Sequence, residues 1–328
     1  MAFHFAMGDP SELVQIHNVP HYRYLGSANE DIPWDVSHII VDNSVTIIKK
    51  NAFSMCQNIE SVIMGDSVRI IEAEAFFKCI NLEVIRLSKS LQRIGERAFC
   101  GCEELQVFII PPSVKEIERW ILMDCPLLRF LVLPYEINLD HVGEEIIFNT
   151  PLCDFARDAG VQYEMDRNGI VTEESNRRFH EWLFCRTEPY ESPLHKICYK
   201  ADVTVQEIND YICENGDESA SQMDAMHGIT HGMTLLHMLA MNSHAAADVV
   251  AGNLLHANMD AVFLRDDEGE TPLDYAARYN VPGLLKIIEI LCLHRQTTFT
   301  KKIIHERGSL YQKKEVERIR KRKIAEVV

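Results

Sequence analysis

The chain has 328 residues, with 33 Lys and Arg against 49 Asp and Glu, giving a formal net charge of −16. Apolar residues make up 47% and charged residues 25%, which excludes wholesale disorder, collagen and a continuous coiled coil. The length implies about two domains, and the acidic total argues against a body built to grip phosphate backbones.

Residues 1–34 form an N-terminal segment. Its apolar run, Met1 to Met7, lacks a basic leader and ends at Gly8-Asp9-Pro10, a poor secretory signal. No uncharged apolar stretch reaches the ~18 residues that cross a bilayer. The most apolar one, Leu284–Leu293, is interrupted by Lys286 and Glu289. With no glycosylation sequon either, the expectation is a cytoplasmic protein that makes no membrane contact.

From Val45 the chain repeats. Val45–Ser67, Val68–Ser90, Leu91–Ser113 and Val114–Glu136 are each 23 residues long and align without a gap. Ile48, Ile71, Ile94 and Ile117 share one column, and Cys56, Cys79, Cys102 and Cys125 another. The pair Ala52-Phe53 returns as Ala75-Phe76 and Ala98-Phe99. Alternation at 62/64, 85/87, 108/110 and 131/133 predicts one short strand per unit, stacked in parallel. The Ala-Phe-x-x-Cys-x-x-Leu stretch has the spacing of a helical turn or short helix. Residues 35–44 match the strand half only, as a terminal rung would. These columns resemble the BspA-like class of leucine-rich repeats over about 35–136. That resemblance implies a binding scaffold, found in bacterial surface proteins and many protist proteins, with no catalytic residue.

The four repeat cysteines invite a zinc or disulfide reading. Equivalent side chains in stacked rungs point the same way in a row, however, and zinc needs a tetrahedral cluster. Buried packing is the expectation for these thiols.

Residues 137–191 read as a folded connector. Thr150-Pro-Leu starts a helix ending near Gly160, Asn168-Gly169 signals a hairpin, and Asn176 is placed to cap a helix bearing Phe179, Trp182 and Leu183. Over 192–294 a second signature recurs: Ser192-Pro-Leu-His195, Thr234-Leu-Leu-His237 and Thr271-Pro-Leu-Asp274, with Gly232 and Gly269 two residues before the last two. Ser or Thr caps a helix and Pro suits its first turn. Second helices follow, at the capping box Thr204 to Glu207, at Ala245–Leu255 and at Pro282–Leu293. These units resemble about three ankyrin repeats in degenerate form. The resemblance implies that His195 and His237 stabilise turns rather than catalyse.

Residues 295–328 are a basic tail with 11 Lys and Arg against four Asp and Glu. Arg318, Arg320, Lys321, Arg322 and Lys323 are its candidate contacts for nucleic acid or nuclear import, with docking of the tail on the acidic ankyrin-like half the competing expectation; elsewhere nucleic-acid binding is not expected. No phosphate loop, dinucleotide fingerprint, metalloprotease motif or nucleophile elbow occurs. His227 and His231 flank Gly228, which favours a loop over a metal site, and Asp166 to Gly169 lacks the later ligands of a calcium loop.

The sequence therefore predicts an α+β chain: a leucine-rich repeat solenoid with a parallel sheet wall, then an all-α ankyrin-like solenoid. No catalytic, cofactor or metal residue is assigned. The expected role is a scaffold or adaptor for an unidentified protein partner, the alternatives being a surface or secreted adhesive protein or a nucleus-directed regulator acting through the basic tail; oligomeric state is left open. Strand positions pointing away from the repeat core grow more apolar along the solenoid. Ile63, Val84, Arg86, Val107, Ile109, Phe130 and Val132 are thus the candidate partner face. Cover by the chain's own connector or helical half is the competing expectation.

Overall fold

In a computed structural model of the chain, the described residues are 21–27, 30–134, 137–187, 197–198, 203–215, 232–250 and 259–294. The first half is a stack of rungs. One wall is the parallel sheet β1 (Tyr22–Tyr24), β2 (His38–Val41), β4 (Ser61–Met64) and β6 (Val84–Arg86), in that order. It is followed by the parallel pair β8 (Val107–Ile109) and β10 (Phe130–Val132). Register follows the sequence period: Ser61 pairs with Val84, and Val107 with Phe130. A second parallel wall consists of β3 (Ile47–Ile48), β5 (Ile70–Ile71), β7 (Arg93–Ile94) and β9 (Glu116–Ile117). The conserved-register isoleucines 48, 71, 94 and 117 point from it into the core and are buried.

The Ala-Phe-x-x-Cys stretch is not a helix, which corrects the expectation from its spacing. Asn51 and Met55 take left-handed φ of 57° and 60°, and the pattern recurs at Glu74 and Lys78, Arg97 and Gly101, and Trp120 and Asp124. Placing these residues left-handed turns alternate N–H groups sideways. Asn51, Phe53 and Met55 donate to the carbonyls of Ala73, Ala75 and Phe77 on the next rung, at 3.2, 2.8 and 2.7 Å. This third wall is therefore held between rungs rather than within them, and every rung satisfies its neighbour's backbone.

Inside, Phe53, Phe76 and Phe99 stack with ring centroids 4.9 and 5.1 Å apart. Phe99 then meets Phe108 edge-on at 4.9 Å, because Leu122 ends the phenylalanine column. The stack runs past residue 136, where the sequence reading ended it. Trp120, Leu122 and Asp124 donate to the carbonyls of Glu144, Ile146 and Phe148. The left-handed pair of this further rung, Glu145 and Asn149, comes 25 residues later instead of 23. A 3₁₀ turn at Leu139–His141, with Asn138 accepting from the Asp140 N–H, takes up the extra length.

The connector closes this end of the core. Helices α1 (Pro151–Asp158) and α2 (Glu173–Thr187) bring Leu152, Ala156, Phe179 and Leu183 against Ile146 and Ile147 in one buried cluster. Helix α2 begins before Asn176: Ser175 N–H bonds Thr172 Oγ1, and the Asn176 side chain instead accepts from Glu145 N–H at 3.2 Å. The turn at Asn168-Gly169 forms, with Asp166 Oδ1 accepting from Asn168 and Ile170 N–H groups, joined by a single antiparallel bridge between Met165 and Val171.

The second half is helical, with α3 (Val205–Asn215), α4 (Leu235–Met241), α5 (Ala247–Val250), α6 (Pro272–Tyr279) and α7 (residues 281–294). The Thr204–Glu207 and Thr271–Asp274 capping boxes both form. His195, His227 and His231 lie outside the described residues.

Candidate functional site

The seven candidate face residues divide three ways. Val107, Phe130 and Val132 are buried in the same apolar cluster as Leu235, Leu236, Leu239, Tyr275 and Ala276, with Val84 and Ile109 packed at its margin. Arg86 sits at the polar edge of that cluster, and Ile63 is half-buried in neither cluster. The face read as a partner surface is therefore occupied by the chain's own α4 and α6. A parallel sheet flanked by apolar outward rows must cover them, and the helices supply the matching apolar side.

Three polar contacts frame this seam. His244, just after α4, places Nε2 2.7 Å from the Leu87 carbonyl. Arg86 donates from Nη1 to the Met64 carbonyl at 3.0 Å and lies 3.5 Å from Asp66, which also meets Lys89. The Arg129 guanidinium stands 5.6 Å from the Tyr275 ring centroid, and Tyr275 donates its hydroxyl to Asp266 Oδ2 at 2.6 Å. No motif or spacing in the sequence singles out His244, Arg129 or Tyr275. Only the apolar drift of the strand row signalled that something would sit there.

Bonding to Leu87 requires a proton on His244 Nε2, which leaves the buried Nδ1 bare and without a hydrogen-bond partner. Burial, with Arg86 beside it, pushes the pKa down from 6.5 to about 3. His180 on α2 is lowered to about 4 by burial. Both are neutral in the fold and take up a proton below about pH 6.5 only on unfolding. Stability from them is complete above that pH and falls as pH drops toward 4. Each contributes a slope of at most ~1.4 kcal/mol per pH unit. Urea midpoints measured from pH 7.5 to 4.5 are expected to fall steadily, and His244→Gln to flatten part of the slope. An unchanged slope in that variant sinks the assignment.

Three of the four column cysteines, Cys79, Cys102 and Cys125, are buried, and Cys56 on the first rung is half-buried. Cys79, Cys102 and Cys125 each direct Sγ at the carbonyl of Phe53, Phe76 or Phe99, at 3.1 to 3.3 Å. Burial raises their pKa, to about 12 for Cys125. Thiols in that state are poor nucleophiles and poor metal ligands. Among the described residues no group of three or more His, Cys, Asp or Glu is placed to hold a metal ion.

A cleft of about 420 Å³ lies where α1 meets the last rung, with Phe148, Tyr163, Met165 and Phe179 among its walls. Arg157 there is paired with Asp154 at 2.8 Å. His237, which looks catalytic in isolation, is committed to structure. Its Nδ1 meets Thr234 N–H and Oγ1 at 3.0 and 2.8 Å, and its Nε2 lies 3.1 Å from the Glu270 carbonyl. Arg318, Arg320, Lys321, Arg322 and Lys323 lie outside the described residues. No helix among the described residues is long and apolar enough to cross a membrane.

Comparison with known proteins bears on the first half. No curated protein matches the chain. Solved structures similar to it include a leucine-rich repeat protein of T. pallidum, 26% identical with a TM-score of 0.27 over 30% of this chain and 58% of that one. A leucine-rich cell surface protein of Faecalibacterium prausnitzii is 26% identical, with a TM-score of 0.33 over 45% of this chain and 40% of that one. The chain thus spans little more than half the length of the first and less than half of the second. The family model of the BspA type leucine-rich repeat region matches residues 34–152 in six copies. The match ends where the observed rungs end and α1 begins. Residues 34–152 form a BspA-type leucine-rich repeat region.

Proposed function

We propose that the chain is a non-enzymatic scaffold or adaptor for protein partners, in which ankyrin-like repeats over about 192–294 are seamed to the leucine-rich repeats. The repeat region at 34–152 carries this reading, because stacked rungs offer extended walls rather than a closed polar pocket. The ankyrin-like assignment is supported by side chains that tie one helical unit to the next. Asn242 donates to the Cys198 carbonyl at 2.8 Å, Asn280 donates to the Asn242 and Ala245 carbonyls, and His237 reaches Glu270. With one strand face covered, partner contacts fall on the outward row of the second sheet: Ile47, Ile70, Arg93 and Glu116.

The test is affinity capture from native lysate with the full chain and with Ile47→Glu plus Ile70→Glu. Proteins retained by the first and lost by the second are expected. Identical profiles overturn the surface, and no specific retention overturns the scaffold. A second reading, a surface or secreted adhesive protein, is favoured by the repeat class at 34–152. Protease treatment of intact source cells separates the two: a protected chain supports the cytoplasmic scaffold, and a cleaved one supports adhesion.

A further inference from the structure

Helix α7 carries two apolar faces. One is used: Ile287 is buried, and Leu284, Ile290 and Leu291 pack against the helical core. The other is not. Leu285 and Ile288 are 47% and 44% exposed, Cys292 is exposed, and Leu293 is 51% exposed. Positions 285, 288 and 292 fall on a single helical stripe. A helix apolar on both sides belongs inside a structure, and the end of a helical stack needs a covering element with a polar outer face.

We propose that residues 295–328 of the same chain cover this stripe. The segment follows α7 in the chain two residues after Leu293, and its 34 residues are long enough to span the 14 residues of that helix. It brings apolar side chains at Phe299, Ile303 and Ile304. Its 11 Lys and Arg against four Asp and Glu oppose the acidic helical half. A covering segment with an apolar inner side and a basic outer side matches both needs. The basic run 318–323 then stays on the outer side, available to other ligands.

The full chain, with the photocrosslinker benzoylphenylalanine in place of Ile288, tests the docking. Irradiation is expected to join position 288 to a peptide from 295–328 within one chain. A crosslink between two chains, to another part of the same chain, or to no part of the tail overturns the proposal. Independently, Phe299→Asp with Ile303→Asp in the full chain is expected to speed amide exchange across 284–293 by ~10-fold while β4 and β6 keep their protection. Unchanged exchange at 284–293 also overturns it.

Discussion

Val107→Glu combined with Phe130→Glu is expected to detach the helical half from the repeat stack. Phe130 is 2% exposed and Val107 4% exposed, in one cluster with Leu235, Leu236 and Tyr275. Removing a buried phenylalanine from such a site costs ~3–5 kcal/mol. Two carboxylates set in its place, without partners, add a desolvation cost of several kcal/mol. Whole domains hold only ~5–15 kcal/mol, so the seam cannot survive both changes. Amide exchange is expected to show α4 and α6 losing protection while the Phe53–Phe76–Phe99 stack keeps its own. Ile47→Glu, on a side chain 39% exposed, is the control and is expected to stay within ~0.5 kcal/mol of the parent. A double variant with parent-like protection in α4 and α6 contradicts the seam.

Phe76→Ala is expected to be the most damaging single truncation in the repeat stack. The ring is fully buried and lies between two parallel neighbours at 4.9 and 5.1 Å. The cavity costs ~3–5 kcal/mol, and the two ring pairs add ~0.5–1.5 kcal/mol each. Phe76→Leu keeps most of the volume and is expected to lose much less. Urea unfolding of both variants checks this. Equal losses show that the ring pairs, which both variants remove, carry the cost and that the cavity adds little to it. A loss below ~2 kcal/mol for alanine shows that the rungs close around the gap.

Much of the first half was legible because a repeat displays its own register. Matching columns 23 residues apart named the core side chains, and the observed pairing of Ser61 with Val84 and of Val107 with Phe130 follows the same offset. The shape of the Phe-Cys segment was not legible. Spacing of three to four residues suits a helix and also suits a chain of tight turns, and left-handed Asn51 and Met55 decide for the turns. Nothing in those residue types announces it; Glu74, Arg97 and Trp120 adopt the same conformation because the next rung's carbonyls are there to receive their N–H groups. The further rung escaped detection because its spacing shifts to 25 and its columns no longer align.

The amino-acid sequence by itself determined the repeat period, the buried columns, the helix starts at Thr204, Thr234 and Thr271, and the segregation of charge between body and tail. Each of these is a local or periodic property, so neighbouring residues along the chain suffice to state it. Which surface remains open was decided only by the tertiary structure. An apolar row at Val84, Val107, Phe130 and Val132 reads the same whether a partner or the chain itself covers it. The answer lies in α4, α6 and His244, more than 100 residues away, and apolar burial carries no label for its source.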